Sequence, residues 1–510
     1  MAGHGGGRPA SKCRTARESA HAVRRRPAVE GLRGVAAVGT IEAGRRELGG
    51  LAALPWWTRF LRDPIRCLTS LRARQGPLFV LRNPVPGGGH GSRFVFALAP
   101  EYNRAVFSDP DLFRATGQTL PGPAGSAQRR VRYGLTRTRG ERHRAQRALL
   151  LPLFQRPAIR EKAAGIGEVV AAELAGWRPG TVLDVKREMR RLMLRVSSEV
   201  LFGREDPERS WRLGELIGDW LGRNFQGRVW LALFDLPGTP YRGLLDRAER
   251  IEREIRAMVD ARTRAGARED DVISSLIRAR AARASWMRDR DVVGQATMLF
   301  AASYETTANA MAWTLFLLSQ HPQVAEDLAS ELDGALRGAA PGLDALDDLP
   351  LLDAVLRESM RIFPPVPYAI RMVGGGGSLG PLALRDRDRV IVSHYVTHHL
   401  PELYPDPERF DPRRWQGLRR GPYEYLPFGA GPRTCIGINF ANAAMKLALA
   451  AIASRFRLSL VPGTRVDRAV AVTLSPRGPL PMRLWAPGSA PAPAPAPVAG
   501  NVRDMVRLPA

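Results

Sequence analysis

Phe428-Gly429-Ala430-Gly431-Pro432-Arg433-Thr434-Cys435-Ile436-Gly437 is the stretch on which the reading of this 510-residue chain turns. Its glycines let the backbone approach a flat cofactor closely and aim N–H groups at a sulfur. Helix-forming residues follow at 441–453, so the positive end of a helix dipole lies near Cys435. Both effects favour thiolate over thiol. A structural cysteine in a glycine turn is the plain alternative. In a chain of this composition, however, a chance match to Phe-x-x-Gly-x-Arg-x-Cys-x-Gly is expected only about once in ten thousand. The loop therefore predicts a cysteine that carries a ligand role.

The rest of the chain narrows what such a cysteine can serve. Cys13 and Cys67 are the only other cysteines, too few and too scattered for a disulfide framework or an iron–sulfur cluster, and they fit a reducing cytosol. Net charge is +26 and almost wholly arginine, because lysine occurs only as Lys12, Lys162, Lys186 and Lys446. Arginines spread along the whole length, without an aromatic-laced stripe, speak for coding bias and against a nucleic-acid partner. The longest apolar run, 297–318, carries Glu305 and several polar residues at its centre, so it reads as a buried core helix and not as a membrane span. Arg24-Arg25-Arg26 is followed at 31–41 by a short, Gly-rich stretch broken by Arg33, which does not make an export signal.

Helical periodicity dominates, over 161–177, 185–202, 244–264 and 311–336. Strand patterns are fewer: a hairpin from 78–81 and 93–98, and short runs at 389–393 and 456–461. The fold class is mainly α with small β-sheets. Residues 1–50 read as a disordered extension, 51–487 as one domain, and 488–510 as a tail with an Ala/Pro run.

The Cys435 loop closely resembles the haem-binding loop of the cytochrome P-450 superfamily, and the resemblance extends over roughly residues 51–487. It implies the cytochrome P-450 fold and haem b (iron protoporphyrin IX), with Cys435 as the metal ligand whose electron donation favours O–O cleavage. By the same resemblance Arg433 pairs with a haem propionate, and Phe428, Gly429, Gly437 and Ala302 contact the cofactor. His143 and Arg147, at i, i+4, and Arg371 match family positions that bind propionates, where arginine offers paired donors to a carboxylate. One departure is Ala444, where the family often has Glu.

Two further motifs join this picture. Glu358-Ser359-Met360-Arg361 puts Glu and Arg on one helix face. The same spacing recurs at Glu30/Arg33, Glu42/Arg45 and Glu141/Arg144, so alone it reads as a solvated pair. Pro407-Glu408-Arg409-Phe410 resembles the family segment whose Arg completes a buried network, which predicts Glu358–Arg361–Arg409. The other motif is Ala302-Ser303-Tyr304-Glu305-Thr306-Thr307, a carboxylate beside hydroxyls in a buried helix. Thr306 bonding back to a carbonyl one turn earlier, with Glu305 paired to an arginine, would account for it structurally. The resemblance implies instead that Glu305 and Thr306 are the catalytic acid–alcohol pair that delivers protons to bound oxygen. Ser303 stands where the family has Gly. Tyr304, Ala302, Val366, Ile370 and Leu474 fall where family members line the substrate cavity.

The function so implied is a cytoplasmic haem-thiolate monooxygenase that inserts one atom of O₂ into a small apolar substrate. Its electrons would come from an external ferredoxin or flavodoxin with an NAD(P)H reductase, since no flavin or iron–sulfur module is present in the sequence. A haem-thiolate isomerase or dehydratase would share the Cys loop without needing the Glu305-Thr306 route. A non-enzymatic haem-binding protein would show no reductant-dependent turnover.

Overall fold

The computed structural model describes residues 47–83, 93–117, 119–203, 207–226, 229, 233–268, 270–282, 287–488 and 497–509. Arg24-Arg25-Arg26 and nearly all of the extension read at 1–50 lie outside the described residues.

Helices carry the scaffold: α1 (Gly140–Leu150), α2 (Arg156–Leu174), α3 (Val185–Leu201), α4 (Pro207–Arg223), α5 (Pro240–Arg264), α6 (Asp289–Gln320), α7 (Pro350–Ile362) and α8 (Ile438–Arg455). The longest, α6, is apolar on every side and runs through the core, packing on α3 along one flank and on α7 and α8 along others. Trp313 of α6 stacks on Phe363 at 4.3 Å between centroids, locking it to the end of α7. Arg142 of α1 places Nη2 2.7 Å from both oxygens of buried Asp291, so α1 is tied to the first turn of α6. The periodic stretch read at 311–336 is in fact two helices. Pro322 lacks an N–H and disfavours helical geometry at His321, which is extended at φ −129°, ψ 71°, and a new helix, Pro322–Leu336, begins there.

One sheet combines β1 (Glu47–Leu48), β2 (Leu78–Arg82), β3 (Arg93–Ala97), β4 (Phe113–Ala115), β5 (Ala369–Val373) and β6 (Arg389–Val392) in the order β1-β2-β3-β6-β5-β4. The expected hairpin is β2–β3, antiparallel with Leu78 opposite Ala97, and Phe79 stacks on Phe96 at 4.8 Å. β5 lies antiparallel to both β4 and β6, which brings Arg371 opposite Ala115. Arg457–Leu460 and Leu474–Arg477 belong to smaller sheets.

The chain end departs from the expected extended tail. Residues 489–496, most of the Ala/Pro run, lie outside the described residues, but beyond them Val498, Val502, Met505 and Val506 are buried against the core. Gly500 makes this return possible: its φ is +117°, and a Cβ there would meet the Val466 carbonyl oxygen at 2.1 Å. Arg468, almost wholly buried, clamps the segment by pairing with Asp63 at 2.6 Å and Asp504 at 3.4 Å. The signal for this return was present in the spacing of Val498, Val502, Met505 and Leu508.

Candidate functional site

The loop at 428–437 folds as its glycines dictate. Gly429 and Gly431 hold φ of +68° and +69°, and a Cβ on Gly431 would meet the Phe107 carbonyl oxygen at 2.1 Å. The Cys435 N–H donates to the Phe428 carbonyl at 2.9 Å, closing the loop just ahead of α8. The sulfur lies deep in the protein, yet is open to an internal cavity of about 340 Å³. Burial pushes its thiol up, while the Gly437 N–H and the Arg147 charge pull it down. Desolvation outweighs both, so the loop alone does not deliver the thiolate that its dipoles favour. A bound metal ion would, because coordination deprotonates a thiol outright.

Opposite the loop, α6 presents Ala302, Ser303, Thr306 and Thr307 to the same cavity, and Val366, Ile370 and Arg371 close another wall. Phe428, Gly429, Arg433 and Gly437 line it from the loop side. Phe107, Thr116, Phe154, His394 and Met445 also line it, and sequence reading missed them. His394 had a signal, a histidine in an apolar run: its Nδ1 bonds the Val366 carbonyl at 2.7 Å and its buried Nε2 has no partner among the described residues. Tyr304 and Leu474 do not line this cavity. The Tyr304 ring faces α4, its hydroxyl donating to the Gly214 carbonyl at 2.9 Å, and Leu474 is packed in the core with its carbonyl accepting from Trp313 Nε1 at 3.1 Å.

Arg371 and Arg433 line the cavity, whereas His143 and Arg147 do not: His143 lies close enough to feel the Arg433 charge and Arg147 close enough to feel Cys435, and among the described residues none of the four has a carboxylate partner. Arg371 is pushed down to about 10 by burial and by the Arg433 charge, and His143 to about 4 by burial and then by Arg433, Arg147 and Arg144. Arg433 reaches the Leu135 and Thr138 carbonyls at 3.4 and 2.5 Å, but its buried Nε has no partner among the described residues. Such crowding of cations is costly unless an anion neutralises it. Two carboxylates on a flat apolar ring would satisfy these groups, while the ring fills the apolar cavity and its metal meets Cys435. The residues present fit haem.

Thr306 and Glu305 part company. The Thr306 hydroxyl lines the cavity and donates to the Ala302 carbonyl at 3.2 Å, whereas Glu305 points away from it. Thr473 donates to the Glu305 carboxylate at 3.3 Å and accepts from Asn309 Nδ2 at 3.1 Å. Burial pushes the Glu305 carboxyl up, opposed by Arg190, Thr473 and Lys186.

The network read as Glu358–Arg361–Arg409 has a different third member. Arg414 supplies the second guanidinium, and Arg409 contributes only its carbonyl. The sequence holds Pro-x-Arg-aromatic twice, at 407–410 and 412–415, and only the second copy turns its arginine inward.

The cytochrome P450 family model matches residues 76–479. The cyclooctat-9-en-7-ol 5-monooxygenase of Streptomyces melanosporofaciens is 33% identical over 82% of this chain and 90% of its own length. Cyclooctatin synthase of the same organism is 31% identical over 87% and 95%. Among solved structures, the retinoic-acid-bound cyanobacterial CYP120A1 shares the fold at TM-score 0.70 and 24% identity, covering 82% of this chain and 93% of that one. CYP175A1 from Thermus thermophillus matches at TM-score 0.66 and 26% identity, covering 86% and 99%. With the Cys435 loop, Arg371 and Arg433 meeting at one apolar cavity inside the matched region, this chain belongs to the cytochrome P450 family and is a haem-binding monooxygenase.

Proposed function

We propose that the protein is a cytoplasmic monooxygenase in which haem b would be held by the Cys435 sulfur, with Arg433, Arg371, Arg147 and His143 serving its propionates. Ala302, Phe428, Gly429 and Gly437 would contact the ring. The observation that carries this reading is that Cys435 and Thr306 open from opposite walls onto one apolar cavity. Bound haem supplies the activation of O₂ and the transfer of one of its atoms to substrate, the other leaving as water.

The chain's own residues do the rest. Cys435 lends negative charge, held in place by the Gly437 N–H. Val366, Ile370 and Phe107 give the cavity apolar walls that exclude water. The Thr306 hydroxyl at the cavity wall would position a water there, and Glu305, whose carboxyl burial pushes up, would relay protons toward it from outside the cavity. Electrons come from a separate ferredoxin or flavodoxin fed by an NAD(P)H reductase.

The test is turnover under ¹⁸O₂ with a productive redox pair, with cyclooctat-9-en-7-ol, the compound in the first relative's name, among the first substrates tried. Label in the product is expected. A rearranged or dehydrated product without label would make the enzyme an isomerase or dehydratase. No turnover with any substrate that shifts the haem spectrum would leave a haem-binding protein without this activity.

A further inference from the structure

A second cavity, of about 480 Å³, is lined by Arg129, Arg130, Arg132, Arg137, Arg290 and Tyr133. It lies where the 121–137 segment crosses the start of α6, and no residue lines both this cavity and the haem cavity. That crossing is close: a Cβ on Gly294 would meet the Tyr133 carbonyl oxygen at 1.7 Å. No acidic side chain among the described residues lines it.

Only Arg130 is spoken for, donating to both oxygens of Glu252 at 2.6 and 2.7 Å. Among the described residues the other four have no carboxylate partner. Arg129 donates to the Gly122 carbonyl at 2.7 Å, Arg132 to Thr119, and Arg290 lies over the Tyr133 ring at 5.0 Å. The Nη1 of Arg137 is buried with no hydrogen-bond partner among the described residues. Room for that guanidinium exists because residue 117 is glycine: a Cβ there would lie 1.6 Å from Nη1. Burial, with the charges of Arg137 and Arg129, pushes Arg132 down to about 10, and burial with the Arg139 charge lowers Arg137.

Guanidiniums left close together without a counter-charge are costly, and their flat forks match the oxygens of phosphate. Four unpaired positive charges call for more than a single carboxylate. The recess of Arg132 and Arg137, behind exposed Arg129 and Arg290, suits an anion that diffuses in. We propose that this cavity is a binding site for a soluble, multiply charged phosphate-type anion, with Arg132 and Arg137 as its inner contacts and Arg129 and Arg290 at its rim.

The experiment is calorimetric titration of the haem-loaded full chain with inorganic diphosphate. One saturable site is expected, weakened at least tenfold in Arg137→Gln and likewise in exposed Arg290→Gln, and unchanged in Arg178→Gln, which lines neither cavity. Haem content and the reduced CO spectrum are read on every variant. Absence of saturable binding, equal weakening in Arg178→Gln, or acetate binding as tightly as diphosphate would overturn the proposal. So would Arg137→Gln losing haem while keeping diphosphate, which would assign that guanidinium to the cofactor. Binding to phosphatidylglycerol vesicles with no response to diphosphate would give the site to a lipid headgroup instead, and would also overturn it.

Discussion

Arg414 donates from Nε to Oε1 of Glu358 at 2.8 Å, and Arg361 grips the same fully buried carboxylate at 2.8 and 2.9 Å. Trp415 Nε1 and the Asp411 N–H complete the shell at 2.9 and 3.2 Å. Arg409 enters this network only through its carbonyl, which accepts from Arg361 and Arg414. Removing Arg414 takes one charge-assisted hydrogen bond from a buried carboxylate that keeps Arg361, so Arg414→Ala is expected to cost about 1.5–3 kcal/mol, while Arg409→Ala stays near the ~0.5 kcal/mol typical of surface changes. Thermal unfolding of the two variants side by side checks this. Equal losses would return the third place in the network to Arg409.

Cys435→Ser is expected to abolish the thiolate-type absorption of the reduced, CO-bound protein. Cys67 cannot substitute: it is buried at another place, bonded to the Trp56 carbonyl, and burial pushes it up to about 12. Survival of that absorption in the variant would remove Cys435 from the iron.

Much of this site was legible because its residue types are costly anywhere else. A Gly-rich Cys loop ahead of a helix, and a Glu among hydroxyls in an apolar run, declare themselves without a structure. What stayed hidden depended on rotation and choice among copies. α6 is apolar all round, so no polar face told which side meets the cavity, and the choice for Tyr304 between cavity wall and core stayed open until the structure put it in the core. Arg409 and Arg414 sit in near-identical four-residue patterns, and only packing around Glu358 distinguishes them. The second cavity was invisible because each of its arginines, read singly in a chain of +26, resembles ordinary solvated charge.

Acid is expected to destabilise the fold through buried His394 and His398 and half-buried His399. Burial, with the Arg361 charge, pushes His399 down to about 3, and burial likewise lowers His394 and His398. An unfolded histidine near 6.5 binds its proton first, so stability present at pH 8 is lost as pH falls through 6.5 and levels off below about 3. At pH 5 the loss from His399 alone is about 2 kcal/mol. Denaturant midpoints at pH 8 and pH 5 should therefore differ less in His399→Gln than in the parent. An unchanged difference would show that His399 takes a proton without unfolding.

Electron delivery is expected to slow as salt rises. Of five arginines near the cysteine loop in sequence, Arg414 and Arg433 turn inward and Arg420 is half-buried against the Leu403 carbonyl, leaving Arg413 and Arg419 exposed. An acidic donor that docks there loses its attraction as the Debye length shrinks from about 10 Å at 0.1 M to about 3 Å at 1 M. Stopped-flow reduction by a productive ferredoxin should show this, with a shallower salt dependence in Arg413→Gln and Arg419→Gln. A rate indifferent to salt would place docking elsewhere.

Thr306 and Glu305 face different directions, and that separation makes their roles distinguishable. The Thr306 hydroxyl is at the cavity wall, so Thr306→Ala should leave haem content and substrate affinity close to the parent, because little volume is removed. Cofactor consumption should continue while product falls and peroxide is released. Glu305 is held outside the cavity by Thr473, so Glu305→Gln should slow the whole cycle, with a solvent isotope effect, because proton supply itself is cut. Ser303 also lines the cavity, but its hydroxyl donates to the Phe300 carbonyl at 2.9 Å, where the family's usual glycine offers none. Full coupling in Thr306→Ala with loss of coupling in Ser303→Gly would move the role to Ser303. Full coupling in both would mean that these hydroxyls serve only the carbonyls one turn back, and that Glu305 is buried for packing alone.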